Sequence, residues 1–234
     1  MNVLLFGATG MVGQGVVREC LLDTGVDRVL AVGRSAVDPA SLGRMAGSGA
    51  ATGRPAARLR ELIVPDVANL GGIEAELAGF DACFFCLGVS SIRMTEAEYV
   101  RLTYDLTLAV ARTVVRRSPD ATFVYVSGAG TDSTEHGRSM WARVKGRTEN
   151  ALLGLPFRAA YMFRPGAIVP LHGVRSKTSW VRLIYLAGAP IVPLWRALSP
   201  NTITTSEQVG RAMLRVAREG YPKPILETSD INRL

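Results

Sequence analysis

The stretch that decides the fold is NVLLFGATGMVGQGVVRECLLD, residues 2–23. Its opening, NVLLFG (2–7), is a short apolar β-type run that stops at glycine. MVGQGVVRECLLD (11–23) then carries apolar residues at helical spacing. Between the two, Gly7, Gly10 and Gly13 stand at GxxGxxG spacing, with Thr9, Met11 and Val12 completing the loop. A dinucleotide-binding turn makes three demands that glycine meets. The chain turns tightly at Gly7, backbone N–H groups approach a pyrophosphate near Gly10, and the helix packs close to the strand at Gly13. The positive end of the helix then faces the phosphates. In strand–turn–helix context the motif predicts dinucleotide binding.

Outward from this unit the same alternation continues. DRVLAVGR (27–34), RELIVPD (60–66), DACFFCLG (81–88), ATFVYVSG (121–128) and FRAAYMFRPG (157–166) read as strands. NLGGIEAELAG (69–79), TEAEYVRLTYDLTLAVARTVVRRS (95–118), the segment around Lys145 and TSEQVGRAMLRVAREG (205–220) read as helices, the second opened by a Thr95/Glu98 capping box. KPILET (223–228) is strand-like. Strands that are apolar throughout belong to a parallel sheet covered on both faces. The expected architecture is one α/β domain spanning 1–234, a doubly wound Rossmann-type sheet with a small C-terminal embellishment. Its substrate side would come mainly from 166–205 and the tail. The Gly/Ala/Ser/Pro-rich stretch 39–58 reads as a surface insertion.

Composition narrows the function. Hydrophobic residues are 48% and charged residues 20% of 234, ordinary for a chain with a full core. LIYLAGAPIVPLW (183–195) is interrupted by two prolines and too short for a bilayer, which needs about 20 apolar residues. With Trp180, it suits a substrate lid or a homodimer interface better than a transmembrane helix. Met1 leads straight into a strand with no positive n-region, so the expected location is cytoplasmic. Cys83 and Cys86 spell CxxC, but three positions apart on a strand they face opposite ways, so they read as core thiols. His136 and His172 stand alone, and no metal site is predicted.

The net charge of +7 is uneven: residues 138–182 hold nine Lys/Arg against Glu149 alone. Such a segment attracts anions, or it is simply a solvated basic face. No motif supports a nucleic-acid partner. At the end of strand 2, VGRS offers Arg34 and Ser35 and no acid before Asp38. Arginine there pairs with a 2′-phosphate, so NADP is expected over NAD. Asp66, followed by Val67, ends strand 3 where it would hold the adenine amino group.

Together these residues resemble the short-chain dehydrogenase/reductases, in their extended and atypical, NAD-dependent epimerase/dehydratase-like branches. The resemblance rests on GxxGxxG, on Cys86, Leu87 and Gly88 ending strand 4, on SGAG (127–130), on Lys145, and on Arg164, Pro165 and Gly166 ending strand 6. FGATGMVGQ, VKGRTEN, FRPG, GRAML and LETSDINRL, in that order, are similar to stretches of the Tat-interacting-protein oxidoreductases. The resemblance implies a serine after strand 5 and a Tyr-x-x-x-Lys pair: tyrosine as proton donor, lysine on the nicotinamide ribose, serine orienting the substrate oxygen. Ser127 and Lys145 match; the tyrosine position is Trp141. None of the tyrosines at 99, 104, 125, 161, 185 and 221 is followed four residues later by lysine.

An indole N–H is a donor that does not ionise in the useful range, so Trp141 cannot replace the phenol as acid/base. Its flat face can stack on a planar substrate. Three readings follow. The first is an NADP-dependent oxidoreductase or epimerase-like enzyme on a planar or anionic small molecule, with protons from water, Ser127, Tyr161 or Tyr104. The second is a non-catalytic NADP(H)-binding regulator, like the nitrogen-metabolite-repression family. The third is a lipid-associated protein using the basic segment. Arg143, Arg147, Arg164 and Arg175 would favour an anionic substrate if they face the cleft.

Overall fold

The computed structural model describes residues 1–38, 58–174 and 201–234. Residues 39–57 of the expected insertion at 39–58 and the stretch 175–200, with Arg175, Lys177, Trp180, Arg182, Tyr185 and Trp195, lie outside the described residues.

The chain runs β1 (Asn2–Phe6), α1 (Met11–Leu22), β2 (Arg28–Gly33), β3 (Leu59–Ile63), a 3₁₀ helix (Gly71–Leu77) and β4 (Ala82–Phe85). Next come α2 (Glu96–Val100), a π turn (Arg101–Asp105), α3 (Leu106–Arg117), β5 (Thr122–Val126), α4 (Met140–Leu153) and β6 (Ala159–Arg164). The described chain closes with β7 (Ala167–Val169), β8 (Ile203–Thr205), α5 (Ser206–Glu219), β9 (Ile225–Glu227) and α6 (Thr228–Ile231). The main sheet has seven strands in the order β3-β2-β1-β4-β5-β6-β9, every pair parallel. This is the doubly wound architecture expected from the sequence. β7 and β8 pair apart from it as a small second sheet.

The period of two along each strand divides the core. Val3 and Leu5 of β1 enter one buried cluster with Val16, Val17 and Met213; Leu4 and Phe6 enter the other with Val110, Val114 and Met162. Cys83 belongs to the second cluster and Cys86 packs against the first, so the CxxC thiols do face apart. In the second cluster Phe85 lies 5.8 Å from Phe6, 6.1 Å from Phe123 and 6.0 Å from Tyr125, ring centre to ring centre. Among the described residues no helix is long and apolar enough to cross a membrane.

Two expected helices differ in detail. The 69–79 segment forms a 3₁₀ helix, because Gly71 and Gly72 at its start are poor α-helix formers and no side chain caps it. The helix expected over 95–118 opens on the Thr95/Glu98 capping box, with Thr95 N–H donating to Glu98 Oε2 at 2.8 Å. It then widens into the π turn before continuing as α3. Such widened turns frequently lie at functional sites.

α1 and α5 approach closely at two glycines. A Cβ on Gly15 would lie 2.5 Å from the Ser206 carbonyl oxygen, and one on Gly210 would lie 2.8 Å from Glu19 Cγ. Arg218 on α5 closes the far end by donating to both carboxylate oxygens of Asp23 at 2.7 Å. Gly15→Ala is therefore expected to push the two helices apart and destabilise the protein by about 1–3 kcal/mol. Urea unfolding of the variant against the parent checks this, and an unchanged midpoint would contradict the close packing.

Candidate active site

The strand order reverses between β1 and β4, so the crevice beyond their carboxyl ends is where such a sheet takes a ligand. Gly7 has φ +89°, and a Cβ on it would lie 2.7 Å from the Cys86 carbonyl carbon. Main chain thus faces main chain across the switch point, an arrangement only glycine permits. Gly13 serves packing: a Cβ there would stand 2.0 Å from the Gly7 carbonyl oxygen. Gly10 caps α1 without a side-chain hydrogen bond, and the first turn has no acid. The N–H groups of that turn have no acceptor one turn back and point toward the crevice.

The crevice is a cleft of about 680 Å³ whose walls include Gly10, Met11, Val12, Cys86, Leu87 and Gly88 on the glycine-loop side. Ser127, Trp141, Lys145, Pro165 and Gly166 line its other end. A smaller recess beside it, lined by Gly7, Thr9, Arg34, Ser35 and Val67, lies over the ends of β1 and β2. The two share Leu87 as a wall. Seventeen of the residues singled out from sequence thereby line these two adjoining spaces or, as Gly13, pack beside them.

Asp66 is exposed and lines neither space; its Oδ1 accepts from Ala68 N–H at 2.9 Å and stabilises the turn after β3. Arg164 also departs from expectation. Its side chain is buried behind β6, where Nε donates to Glu149 Oε1 at 3.1 Å and Oε2 at 3.2 Å, so only the main chain that follows it reaches the cleft. Burying a guanidinium demands such a partner, and Glu149 is fully buried beside it. Arg143 and Arg147 are likewise engaged. Arg143 donates to the Gly137 carbonyl at 2.8 Å and to Glu96 at 2.7 Å, and Arg147 stacks on the Tyr104 ring at 4.3 Å. The described arginines therefore give no support to an anionic substrate. Tyr161 faces Tyr221, whose N–H donates to its hydroxyl at 3.0 Å, so neither Tyr161 nor Tyr104 lines the cleft as a proton donor.

Lys145 and Trp141 sit one turn apart on α4 and both line the cleft. Gly130, at φ +85°, lies against the indole, where a Cβ would come 3.5 Å from Trp141 Cη2. Lys145 Nζ donates to the Ser127 carbonyl. Burial lowers the amine from its ordinary range to about 8, with the nearby Glu149 carboxylate acting in the opposite direction. The Ser127 hydroxyl is turned inward, within donating reach of Glu149 Oε1 at 2.5 Å and the Phe163 carbonyl at 3.1 Å.

Three residues went unnoticed in the sequence. Tyr99 on α2 is the phenol that lines the cleft, and burial pushes its pKa up, partly offset by Thr103. Nothing in its spacing marks it. Glu61 lines the small recess beside Arg34, one oxygen accepting from Val37 N–H at 2.7 Å. Glu149 had a signal: it is the lone acid of the basic segment and stands four residues after Lys145.

No known protein-family model matches the chain. Among curated proteins it is similar to protein fmp52 of Emericella nidulans, 25% identical over 215 residues covering 90% of this chain and 84% of that one. It is also similar to FMP52 of Eremothecium gossypii, 28% identical over 171 residues covering 72% and 67%. These two and a Scheffersomyces stipitis relative are all named mitochondrial, which overturns the cytoplasmic expectation. An apolar first strand speaks to secretion signals and carries no information about that compartment. Among solved structures, UDP-glucose 4-epimerase from Bifidobacterium longum, in complex with NAD⁺ and UDP, superposes with a TM-score of 0.71. It is 15% identical and covers 97% of this chain and 76% of its own. The dTDP-glucose 4,6-dehydratase DesIV from Streptomyces venezuelae, with NAD and TYD bound, gives 0.68 at 18% identity over 100% and 79%. At such identities the likeness is one of fold: the extended short-chain dehydrogenase/reductase fold that the motifs resemble.

The geometry around Lys145 makes one direct prediction. Its side-chain amine, followed by NMR in the nucleotide-free protein, is expected to titrate near 8 rather than near 10.5. Above that midpoint the ammonium is lost, so any ligand held by its charge binds less tightly as the pH rises through it. A midpoint near the ordinary value would mean that water reaches the amine freely.

Proposed function

We propose that the chain is a single NADP(H)-binding domain over 1–234 that acts as an oxidoreductase on a planar acceptor. The observation that carries this reading is the pair of adjoining spaces at the switch point, sharing Leu87 as a wall, with Arg34 lining one and Lys145 and Trp141 the other. The residues fit such a cofactor, because Gly7 and Gly13 leave no room for a Cβ and so seat the N-terminus of α1 close against β1, where a pyrophosphate would pass near Gly10. Arg34 is exposed and makes no ion pair among the described residues, so it is available to a 2′-phosphate, with Ser35 beside it. Glu61 in the same recess opposes that phosphate, although one of its oxygens is held by the main chain. Met11 and Val12 would present N–H groups to the phosphates, Val67 and Leu87 would wall the adenosine, and Lys145 would hold the nicotinamide ribose. Cys86, Gly88, Pro165 and Gly166 would line the remaining length.

The nicotinamide, when bound, supplies a hydride to the acceptor. This chain's own residues shape what that acceptor can be. Trp141 offers a flat face and one N–H, and it exchanges no proton. Flavins and quinones suit it, since their reduction draws protons from solvent. Ordinary ketones need a positioned acid, a role typically worth 10²–10⁴ in rate. Tyr99 is the phenol available at the cleft wall, and its raised pKa keeps it protonated as a hydrogen-bond donor.

A second reading is a non-catalytic NADP(H)-responsive regulator. It is favoured by the inward turn of the Ser127 hydroxyl onto Glu149, which leaves no catalytic hydroxyl aimed at a substrate from that position.

Binding and turnover separate these readings. Fluorescence titration is expected to show NADPH bound more tightly than NADH, with the preference reduced about tenfold in Arg34→Ala; an unchanged ratio would remove Arg34 from the assignment. Quinone and flavin reduction with NADPH is expected from the parent, and a gain of at least tenfold on ketones from Trp141→Tyr. Tight binding with no hydride transfer to any acceptor, in parent or variant, would favour the regulator.

A further inference from the structure

We propose that the buried Glu149–Arg164 pair is a positioning device for Lys145, acting through Ser127. The inference rests on the reading above that Lys145 serves the cofactor, but its geometry stands independently. Glu149 lies one turn after Lys145 on α4 and is fully buried. Arg164 at the end of β6 pairs with it through Nη2 and through Nε, at 3.1 and 3.2 Å. Arg164 is itself held by Glu227 of β9 at 3.3 Å and by the Ser133 hydroxyl at 2.5 Å.

Ser127 is the piece between this pair and the cleft. Its hydroxyl donates to Glu149 at 2.5 Å, and its N–H donates to the Phe163 carbonyl at 2.9 Å. Its carbonyl accepts from Lys145 Nζ. Three polar atoms of one residue are thus fixed, and the carbonyl that receives the ammonium cannot swing away. A buried ion pair adds little net stability over apolar packing, whereas it does define a unique geometry when every donor is met. Here the guanidinium meets both Glu149 and Glu227.

The groups around Lys145 come from several elements. Glu149 is on its own helix, Arg164 on β6, and Glu227 on β9 behind Arg164. Tyr99 on α2, Tyr125 on β5 and Cys86 after β4 are kept neutral through the ordinary pH range by burial. Glu149 is accordingly the charge that favours the ammonium, against burial that disfavours it.

The test follows the Lys145 amine by NMR in the nucleotide-free protein, with folding checked by circular dichroism. In Glu149→Gln the midpoint is expected to fall by about one pH unit below that of the parent, and Glu149→Asp is expected to restore most of the difference. Ser127→Ala keeps both charges but cuts the link; water then reaches the amine, and the midpoint rises by about half a unit. If Glu149→Gln fails to fold, Ser127→Ala decides alone. A midpoint unmoved in folded Glu149→Gln or Ser127→Ala overturns the proposal and leaves the pair a purely structural element. NADPH titration of the same samples separates the two levels: a shifted midpoint with no nucleotide binding in the parent would keep the positioning role and discard the cofactor reading.

Discussion

Main chain meets main chain at Gly7 and Cys86, and the rest of the molecule is arranged around that approach. A Cβ on Gly7 would fall within 3 Å of three backbone atoms of Cys86 and Leu87. Because no side chain fills the space, the ends of β1 and β4 remain open to a ligand at the point where the sheet reverses its winding. The same absence at Gly13 seats α1 directly on the Gly7 carbonyl, which aims the helix terminus along the crevice. α1 in turn is seated by α5 through Gly15 and Gly210, far apart in the chain but one backbone apart in space. Removal of side chains, repeated at four positions, does what specific contacts do elsewhere.

The other end of the groove is built on the opposite principle. There a polar network replaces close packing, and Arg143, Arg158 and Arg164, among the described basic residues, are spent in it. Arg143 ties the 137–138 turn to Glu96, Arg158 donates to Thr122 and to the Ala217 carbonyl, and Arg164 is clamped by Glu149. Charge concentrated along a sequence is therefore a poor guide to charge presented to a ligand. What the described cleft presents is one cation, Lys145, together with an indole, a phenol and a run of backbone.

The legible part of the molecule was the part written in local rules. Period-two apolar strands alternating with helices announced the parallel sheet, and GxxGxxG announced the switch point before any coordinate was known. The capping box at Thr95 and Glu98 was visible because both partners lie within one turn. What stayed hidden depended on distance along the chain. Arg164 carried the motif position of a cleft residue, yet its guanidinium turns to Glu149 fifteen residues away, because a buried charge goes where its counter-charge is. Tyr99 could not be chosen over Tyr104 or Tyr161 from spacing, since only the packing of α2 against α4 brings it to the cleft wall. Glu61, in the middle of β3 and part of no motif, reached the recess because β3 pairs with β2 in register.

These two kinds of construction constrain what Trp141 can mean. Had the helix bearing it been displaced, a lost phenol would be one symptom of a decayed site. Instead α4 keeps its register: Lys145 reaches the Ser127 carbonyl, Glu149 reaches Arg164, and Gly130 leaves room for the indole against its own backbone. Each of these contacts would have to be rebuilt if the helix turned by even one residue, since a turn of about 100° per residue would carry the lysine out of the cleft. Trp141 therefore sits in an intact frame. If it stands where the resemblance implies a proton-exchanging phenol, it would change a single chemical property of the cleft, presenting a larger, flat group of fixed protonation. Such a wall would still orient and stack a ring, and would lose only the chemistry that requires a phenol to ionise.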